Sequence, residues 1–292
     1  MPSEKSMEII IDADGITINN PLTFNPKHIL ECGQVFRYYD HYNHYELIAG
    51  DKMCRIYPEE DNVRIKTEHP LFFTDYFDLS TDYQSIINIL NQDYALAEIT
   101  QFGHGIRILR QEPFETIISF IISANNNIKR IQGIIERLCD KLGEDRGGYH
   151  AFPSPYTMAN APLDFYIGIG AGYRAEYILK TAKMISDGFS LDIINQMPSD
   201  EAKKYLMRLS GVGPKVADCI LLFAYHRTDV FPVDTWIAKV YNEACGHCAD
   251  RNMIGKYLLE RYGNLSGYVQ QYLFYYKREN RNLSIKAQIR PS

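Results

Sequence analysis

Lys215 is the residue with the clearest potential for covalent chemistry, because of the turn that precedes it. In Gly211-Val-Gly213-Pro214 the glycines can adopt a positive φ, and Pro214 suits the first position of a helix. The N–H groups of such a turn and the positive end of the following helix attract a phosphate. That positive end disfavours an ammonium group, and a neutral lysine is a nucleophile toward a carbonyl or a sugar C1′. The alternative is that a lysine in this position only pairs with a phosphate and takes no part in catalysis.

Asp234 is the second residue that could do chemistry, and it lies in Phe231-Pro-Val-Asp234. Aspartate is a good N-cap, so one interpretation is that Asp234 only begins the next helix. However, a helix of about 12 residues followed by a return loop brings Asp234 back beside Lys215. A lysine and a carboxylate that converge next to a phosphate-binding hairpin are suited to attack at a sugar carbon.

Two kinds of periodicity indicate the elements that position this pair. Residues 7 to about 75 alternate apolar and polar side chains, with turn signals at Asp14-Gly15 and Gly50-Asp51, which predicts an antiparallel sheet with one strand over Phe36–Tyr38. From about residue 79 the period becomes helical. We predict an α+β protein with a sheet domain over 1–78 and a helical core over 79–292. The predicted helices include 128–142, 173–187, a helix-hairpin-helix near 199–227 with Ser199 as its N-cap, and helices near 251–261 and 265–277.

Composition limits the class of protein. The chain has 292 residues, 46% of them hydrophobic and 23% charged, which is typical of a globular protein with a large core. No apolar run is long enough for a membrane span and the N-terminus does not resemble a signal peptide, so we expect an intracellular protein, cytoplasmic or at the nucleoid if prokaryotic. The net charge of −5 does not by itself indicate a DNA-binding protein, but the basic residues cluster in the middle of the chain.

The six cysteines do not predict a disulfide framework, because no secretory signal accompanies them. Cys245, His247 and Cys248 form half of a zinc-binding pattern, but no second pair of ligands follows.

The stretch Gly211-Val-Gly-Pro-Lys-Val-Ala-Asp-Cys219, followed by Phe231-Pro-Val-Asp234, resembles the helix-hairpin-helix DNA glycosylase superfamily. It is most similar to the 8-oxoguanine DNA glycosylase/AP lyases of the eukaryotic type. Matches to this family extend over most of the chain, from Pro26–Arg37 to the last predicted helix.

The resemblance implies a bifunctional enzyme in which Lys215 attacks C1′ and Asp234 assists. It implies that Gly33 accepts a hydrogen bond from the N7–H of 8-oxoguanine, and that Phe274, Cys219 and Gln270 complete the base pocket. It also implies contacts to DNA and to the cytosine opposite the lesion from Asn125, Arg130, Tyr173, Arg174, Gly211 and Gly213.

The alternatives from the residues alone are ordinary structural roles. Without the resemblance we would favour a turn or bulge glycine at Gly33, a core residue at Phe274 and a solvated side chain at Gln270. The asparagines at 125–127 would end one helix and cap the next. Trp236 departs from the family, because several relatives have histidine two residues after the aspartate.

The expected partner is damaged double-stranded DNA, bound by a monomer, with no membrane contact. The resemblance implies no required cofactor and, since the four cysteines of some relatives are missing here, no iron–sulfur cluster. It also implies a structural cation at the backbone carbonyls of Met207, Leu209 and Val212. Two alternatives remain: a superfamily member that removes alkylated bases or mispaired adenine, and a non-catalytic module that only binds the DNA backbone.

Overall fold

A six-stranded antiparallel sheet forms the N-terminal part of the protein, as predicted. The computed structural model describes residues 7–245 and 250–280. The strand order is β1-β2-β6-β5-β4-β3, and side chains that alternate along the strands bury one face of the sheet. The strands are β1 Glu8–Asp12, β2 Gly15–Asn19, β3 Tyr38–Asp40, β4 Tyr45–Ala49, β5 Lys52–Pro58 and β6 Asn62–Lys66.

Two short helices interrupt the segment that the alternation assigned wholly to the sheet. Helix α1, Pro26–Glu31, begins with a proline, and Asn25 accepts a hydrogen bond from the His28 N–H at 3.2 Å. Helix α2, Pro70–Tyr76, also begins with a proline and packs against the sheet. The strand predicted from Phe36 begins only at Tyr38, because the chain between α1 and β3 is a loop.

The rest of the described chain is helical, which confirms the predicted α+β class. Helix α6 has the predicted bounds and α9 is within one residue of them. Ser199 is the first residue of α10 rather than its N-cap, and its hydroxyl donates to Asp229 at 2.8 Å. The helices are α3 Tyr83–Leu90, α4 Tyr94–Phe102, α5 Pro113–Ser123, α6 Ile128–Leu142, α7 Pro155–Asn160, α8 Leu163–Gly168, α9 Arg174–Ser186, α10 Ser199–Leu206, α11 Pro214–Ala224, α12 Thr235–Cys245, α13 Arg251–Tyr262 and α14 Ser266–Glu279.

Buried side chains form two clusters, one under the sheet and one among the helices. Ion pairing joins them: Arg37, from the loop before β3, contacts Glu115 of α5 at 3.3 Å, and both side chains are nearly buried. The sheet cluster includes Leu109, so the chain returns to the sheet after the predicted boundary at 78.

None of the helices described is long and apolar enough to cross a membrane. No group of three or more His, Cys, Asp or Glu side chains that could hold a metal ion occurs within 7–245 and 250–280. His247, Cys248 and residues 282–292, whose sequence is mostly polar, lie outside those ranges.

Candidate active site

Lys215 lies in the first turn of α11, directly after the hairpin turn. Its side chain is half-buried, and Nζ lies 5.4 Å from the centroid of the Phe120 ring. The amine therefore has an aromatic face beside it, which suits a cation and also shields it from water.

Asp234 is the N-cap of α12, and its Oδ1 accepts a hydrogen bond from the Ile237 N–H at 2.8 Å. Burial raises the pKa of the Asp234 carboxyl, while the Ile237 N–H and the charge of Lys215 lower it part of the way. Asp234 is thus a cap and also an electrostatic neighbour of Lys215. Both side chains line one cleft of about 700 Å³.

The hairpin turn is tightly packed against α9. Gly211 has φ +83°, and a Cβ at this position would lie 2.8 Å from the Cβ of Tyr177. Glycine is therefore required both for the positive φ and for the lack of room for a side chain. The Thr181 hydroxyl donates to the carbonyl of Ser210 at 2.8 Å and fixes the turn from the same helix. Gly213 is the extended N-cap of α11, directly before Pro214.

Gly33 and Phe274 lie against each other, and both line the cleft. Gly33 has φ +84°, and a Cβ added there would lie 2.9 Å from Cε1 of the Phe274 ring. Any larger residue would therefore push into the ring as well as strain the backbone. This contact joins the loop after α1 to α14 and forms one wall of the cleft.

Two glutamine side chains hold the Gly33 loop in place. Gln34 is fully buried; its amide donates to the carbonyls of Ile29 and Arg107, and its carbonyl accepts from the Leu109 N–H. Gln271 of α14 donates to the carbonyl of Cys32 at 2.9 Å. These bonds fix the backbone of Gly33 relative to α14.

Gln270 and Cys219 do not line the cleft, but each lies one helical turn from a residue that does, Phe274 on α14 and Lys215 on α11. Gln270 is 5% exposed, and within the described part of the chain its buried Oε1 has no hydrogen-bond partner. A buried carbonyl oxygen without a donor is costly, which makes it a ready acceptor for a ligand. Burial raises the pKa of the Cys219 thiol to about 11, although Lys215, one turn earlier on α11, opposes the rise.

The three asparagines between α5 and α6 divide into two roles. Asn126 donates to the carbonyl of Ile122 at 3.1 Å and ends α5, whereas Asn127 accepts from the Arg130 N–H at 3.0 Å and caps α6. Neither capping bond involves Asn125, which is exposed and has φ +51°. A non-glycine residue in this region carries a conformational cost of about 1 kcal/mol or more, which is common at functional sites.

Arg174, which the resemblance places against the cytosine opposite the lesion, is buried in the structure. Its side chain is only 3% exposed, and the guanidinium donates to the carbonyls of Ala124 and Asn125. It therefore holds the loop that presents Asn125, and its contact with cytosine stays a prediction. Tyr173, 57% exposed, and Arg130, which donates to the carbonyl of Gly170 at 3.2 Å, lie at the surface nearby.

The carbonyls predicted to hold a cation lie at the end of α10 and in the hairpin. Met207 is the C-cap of α10, and the carbonyl of Leu209 accepts a hydrogen bond from the Val212 N–H at 3.2 Å. Carbonyl oxygens at a helix C-terminus carry partial negative charge and are hard ligands for a cation.

Several cleft residues were not singled out from the sequence. Phe120 carries no motif signal, because an aromatic in an apolar helix reads as core. Arg251 begins α13 and donates to the Thr235 hydroxyl at 3.1 Å, next to Trp236, which is 40% exposed in the cleft. A basic residue at the start of a predicted helix was the available signal for Arg251.

The hairpin, the lysine beside it and the capping aspartate define the class of protein. Residues 118–262 match the model of the HhH-GPD superfamily of base excision DNA repair proteins, and residues 17–117 match the 8-oxoguanine DNA glycosylase N-terminal domain. The first match runs from within β2 into α5, and the second continues from α5 through α13.

Individual relatives agree with these matches. A probable N-glycosylase/DNA lyase of Methanothermobacter thermautotrophicus is 35% identical over 230 residues, covering 70% of this chain and 73% of the relative. The N-glycosylase/DNA lyase of Saccharomyces cerevisiae is 35% identical over 190 residues, covering 59% of this chain and 50% of the relative. The Clostridium acetobutylicum 8-oxoguanine glycosylase/lyase, in complex with DNA containing cytosine opposite the lesion, superposes with a TM-score of 0.88 at 36% identity, covering 95% of this chain and 99% of that one. The chain belongs to the 8-oxoguanine DNA glycosylase family of N-glycosylase/DNA lyases.

Proposed function

We propose that this chain excises 8-oxoguanine from duplex DNA, preferentially opposite cytosine, and then cleaves the strand by β-elimination. The observation that carries the proposal is that the same cleft is lined by Lys215, Asp234, Gly33, Phe274 and Asn125. Such a cleft joins a nucleophile, a carboxylate, a base-binding wall and a residue of the duplex-facing loop.

The flipped base lies against Phe274, with the Gly33 carbonyl accepting its N7–H. Guanine has an acceptor at N7, so the same carbonyl would repel it, and a site built to accept this hydrogen discriminates strongly. Gln270 reads the Watson–Crick edge with the Oε1 that lacks a donor in the described part of the chain. Cys219 covers the other face of the base.

Lys215 supplies the electron pair that forms the bond to C1′ while the bond from C1′ to the base nitrogen breaks. The base leaves with the electron pair of the broken C1′–nitrogen bond and takes up a proton. Asp234 stabilises the positive charge that develops on the sugar, an effect strengthened by its partial burial. Opening of the sugar then gives the imine with Lys215, from which β-elimination breaks the strand.

The orphaned cytosine is held by the loop between α5 and α6. Asn125 enters the space left by the flipped base, because it is exposed and free of both capping bonds. Arg130 offers a planar set of donors to the acceptors of cytosine, and Tyr173 wedges beside it. Arg174 acts by holding the loop and contacts the cytosine.

The hairpin binds the DNA backbone through the N–H groups around Gly211 and Gly213. The carbonyls of Met207, Leu209 and Val212 hold a cation that pairs with a phosphate. All of the proposed groups come from one chain, so we expect a monomer to act on each lesion.

Single-turnover base release tests the substrate assignment. Duplexes with 8-oxoguanine opposite each of the four bases would be compared with duplexes carrying undamaged guanine, an alkylated base or mispaired adenine. We expect the fastest release for 8-oxoguanine opposite cytosine. Equal rates for the four opposite bases would refute the cytosine preference, and faster release of another base would refute the lesion assignment.

A further inference from the structure

A second cavity, of about 530 Å³, adjoins Lys215. Lys215, Val216 and Arg251 line both cavities, so the second one meets the active-site cleft at the nucleophile. Its remaining lining comes mainly from α10, α11 and α13, and includes the side chains of Lys203 and Asp218.

Lys203 and Asp218 form an ion pair across the two helices of the hairpin. Lys203 Nζ lies 2.7 Å from Asp218 Oδ2, with side-chain exposures of 33% and 9%. Asp218 is one helical turn after Lys215, and side chains three residues apart on a helix have Cβ atoms about 5–6 Å apart. The pair therefore lies directly beside the proposed nucleophile.

Burial raises the pKa of the Asp218 carboxyl to about 6, and the charges of Lys203 and Lys215 oppose the rise. A buried carboxylate is expensive, and a buried ion pair often adds no net stability compared with apolar residues of the same size. Simple stabilisation of the hairpin is thus a weak reason for this pair.

Other charged groups face Asp218 from the surrounding elements. Asp234 approaches Lys215 from the cleft, and Arg251, Lys256 and Glu260 line the second cavity from α13. Lys256 lies 3.8 Å from Glu260, and Arg251 donates to Thr235, so these α13 groups have partners of their own. The nearest charge to Asp218 is that of Lys203.

We propose that Lys203 and Asp218 are a positioning pair that sets how readily Lys215 gives up its proton before it attacks C1′. This inference rests on the proposed role of Lys215 as the nucleophile. An Asp218 carboxylate alone would stabilise the Lys215 ammonium and hold it in the inactive form. Lys203 pairs with that carboxylate at 2.7 Å and offsets its charge, which favours loss of the proton from Lys215.

The two single variants are expected to shift the pH midpoint of base release, the pH at which its rate is half-maximal, in opposite directions. Lys203→Met leaves the carboxylate without its partner, so the pH midpoint of base release moves upward. Asp218→Asn removes the carboxylate, so the midpoint moves downward. A unit charge about 7 Å away in an effective dielectric of about 30 corresponds to a shift of about one pH unit.

Single-turnover release of 8-oxoguanine between about pH 5.5 and 9.5, with saturating enzyme, measures these midpoints. Lys203→Arg keeps the charge and is expected to keep the wild-type midpoint. The exposed neighbours Lys204→Met and Asp200→Asn are matched controls and are expected to leave the midpoint unchanged. The double variant Lys203→Met/Asp218→Asn is expected to lie between the two single variants.

Unchanged midpoints in both single variants, or shifts in the same direction, would overturn the inference and assign the pair to hairpin stability alone. If Asp218→Asn does not fold, the comparison of Lys203→Met with Lys203→Arg still decides, because Lys203 is one-third exposed. A Lys215→Gln variant that still releases base would instead contradict the proposed function, so the two failures are distinguishable.

Discussion

Asp234→Asn separates the two roles that the structure gives to Asp234, as a helix cap and as a neighbour of Lys215. Asparagine and aspartate are about equally good N-caps, so the bond from the Ile237 N–H, 2.8 Å long with aspartate, is retained. Loss of the negative charge forfeits about 0.3–1 kcal/mol at the N-terminus of α12. It also removes the free-energy cost of burying a charged group, which is the cost that raises the pKa of the Asp234 carboxyl. These two effects oppose each other, so we expect a melting temperature within about 3 °C of wild type.

The effect on chemistry is expected to be much larger. The Asp234 carboxylate stabilises the positive charge that develops on the sugar, and this charge is present only in the transition state. Its loss is expected to reduce single-turnover release of 8-oxoguanine by roughly 10²–10⁴-fold, or about 3–5 kcal/mol. Binding of the lesion duplex is expected to stay within about threefold of wild type, because the uncharged variant repels DNA less and keeps the fold.

Asp250→Asn is the matched control. Asp250 caps the neighbouring helix α13 by accepting from the N–H groups of Asn252 and Met253 at 2.8 and 3.0 Å, and it lies outside the cleft. The same chemical change there is expected to leave base release within about twofold of wild type. If Asp234→Asn retained more than about a tenth of the wild-type rate with normal DNA binding, Asp234 would be a cap only.

Four further variants test the wall of the base pocket, the asparagine loop and a buried histidine. Gly33→Ala places a methyl group 2.9 Å from the Phe274 ring at φ +84°. We therefore expect a loss of about 1–2 kcal/mol in unfolding free energy and a fall of at least about tenfold in the rate of 8-oxoguanine release. A normal rate of release would contradict the proposed binding of the base between Gly33 and Phe274. Asn127→Ala removes the cap of α6 and is expected to lower the unfolding free energy by about 1 kcal/mol. Asn125→Ala is expected to leave the unfolding free energy unchanged and to abolish the preference for cytosine. Equal losses of stability in urea titrations would contradict the assignment of different roles to the two asparagines. Burial lowers the pKa of His226, so the unfolding free energy is expected to fall as the pH drops below the unfolded histidine pKa of about 6.5. The fall is expected to be smaller in His226→Gln. Parallel curves of unfolding free energy against pH for the two proteins would exclude a contribution from His226.

Much of the architecture follows from local sequence signals. Alternation and turn pairs predict the sheet, and helix α6 has its predicted bounds because Asn127 caps one end and Gly143 follows the other. The approach of Lys215 and Asp234 was predictable, because the length of α11 and a short return loop limit where the chain can go. Helices α1 and α2 were missed because six or seven residues hold too few turns for a periodic pattern.

Contacts between distant segments were beyond local signals. The close approach of Gly33 to Phe274 depends on Gln34 and Gln271, which join the loop after α1 to the core and to α14. The burial of Arg174 likewise depends on hydrogen bonds to the carbonyls of Ala124 and Asn125, which belong to another loop. Such tertiary bonds override the exposure expected for a charged residue.

Borohydride trapping on an 8-oxoguanine:cytosine duplex tests the central claim most directly, with wild type and Lys215→Gln in parallel. Reduction of the imine would fix the protein to the DNA through a stable carbon–nitrogen bond. We predict a covalent complex with wild type and none with Lys215→Gln, although both bind the duplex. A complex of equal yield with Lys215→Gln, or none with a wild-type protein that still releases the base, would contradict the account of Lys215 as the nucleophile.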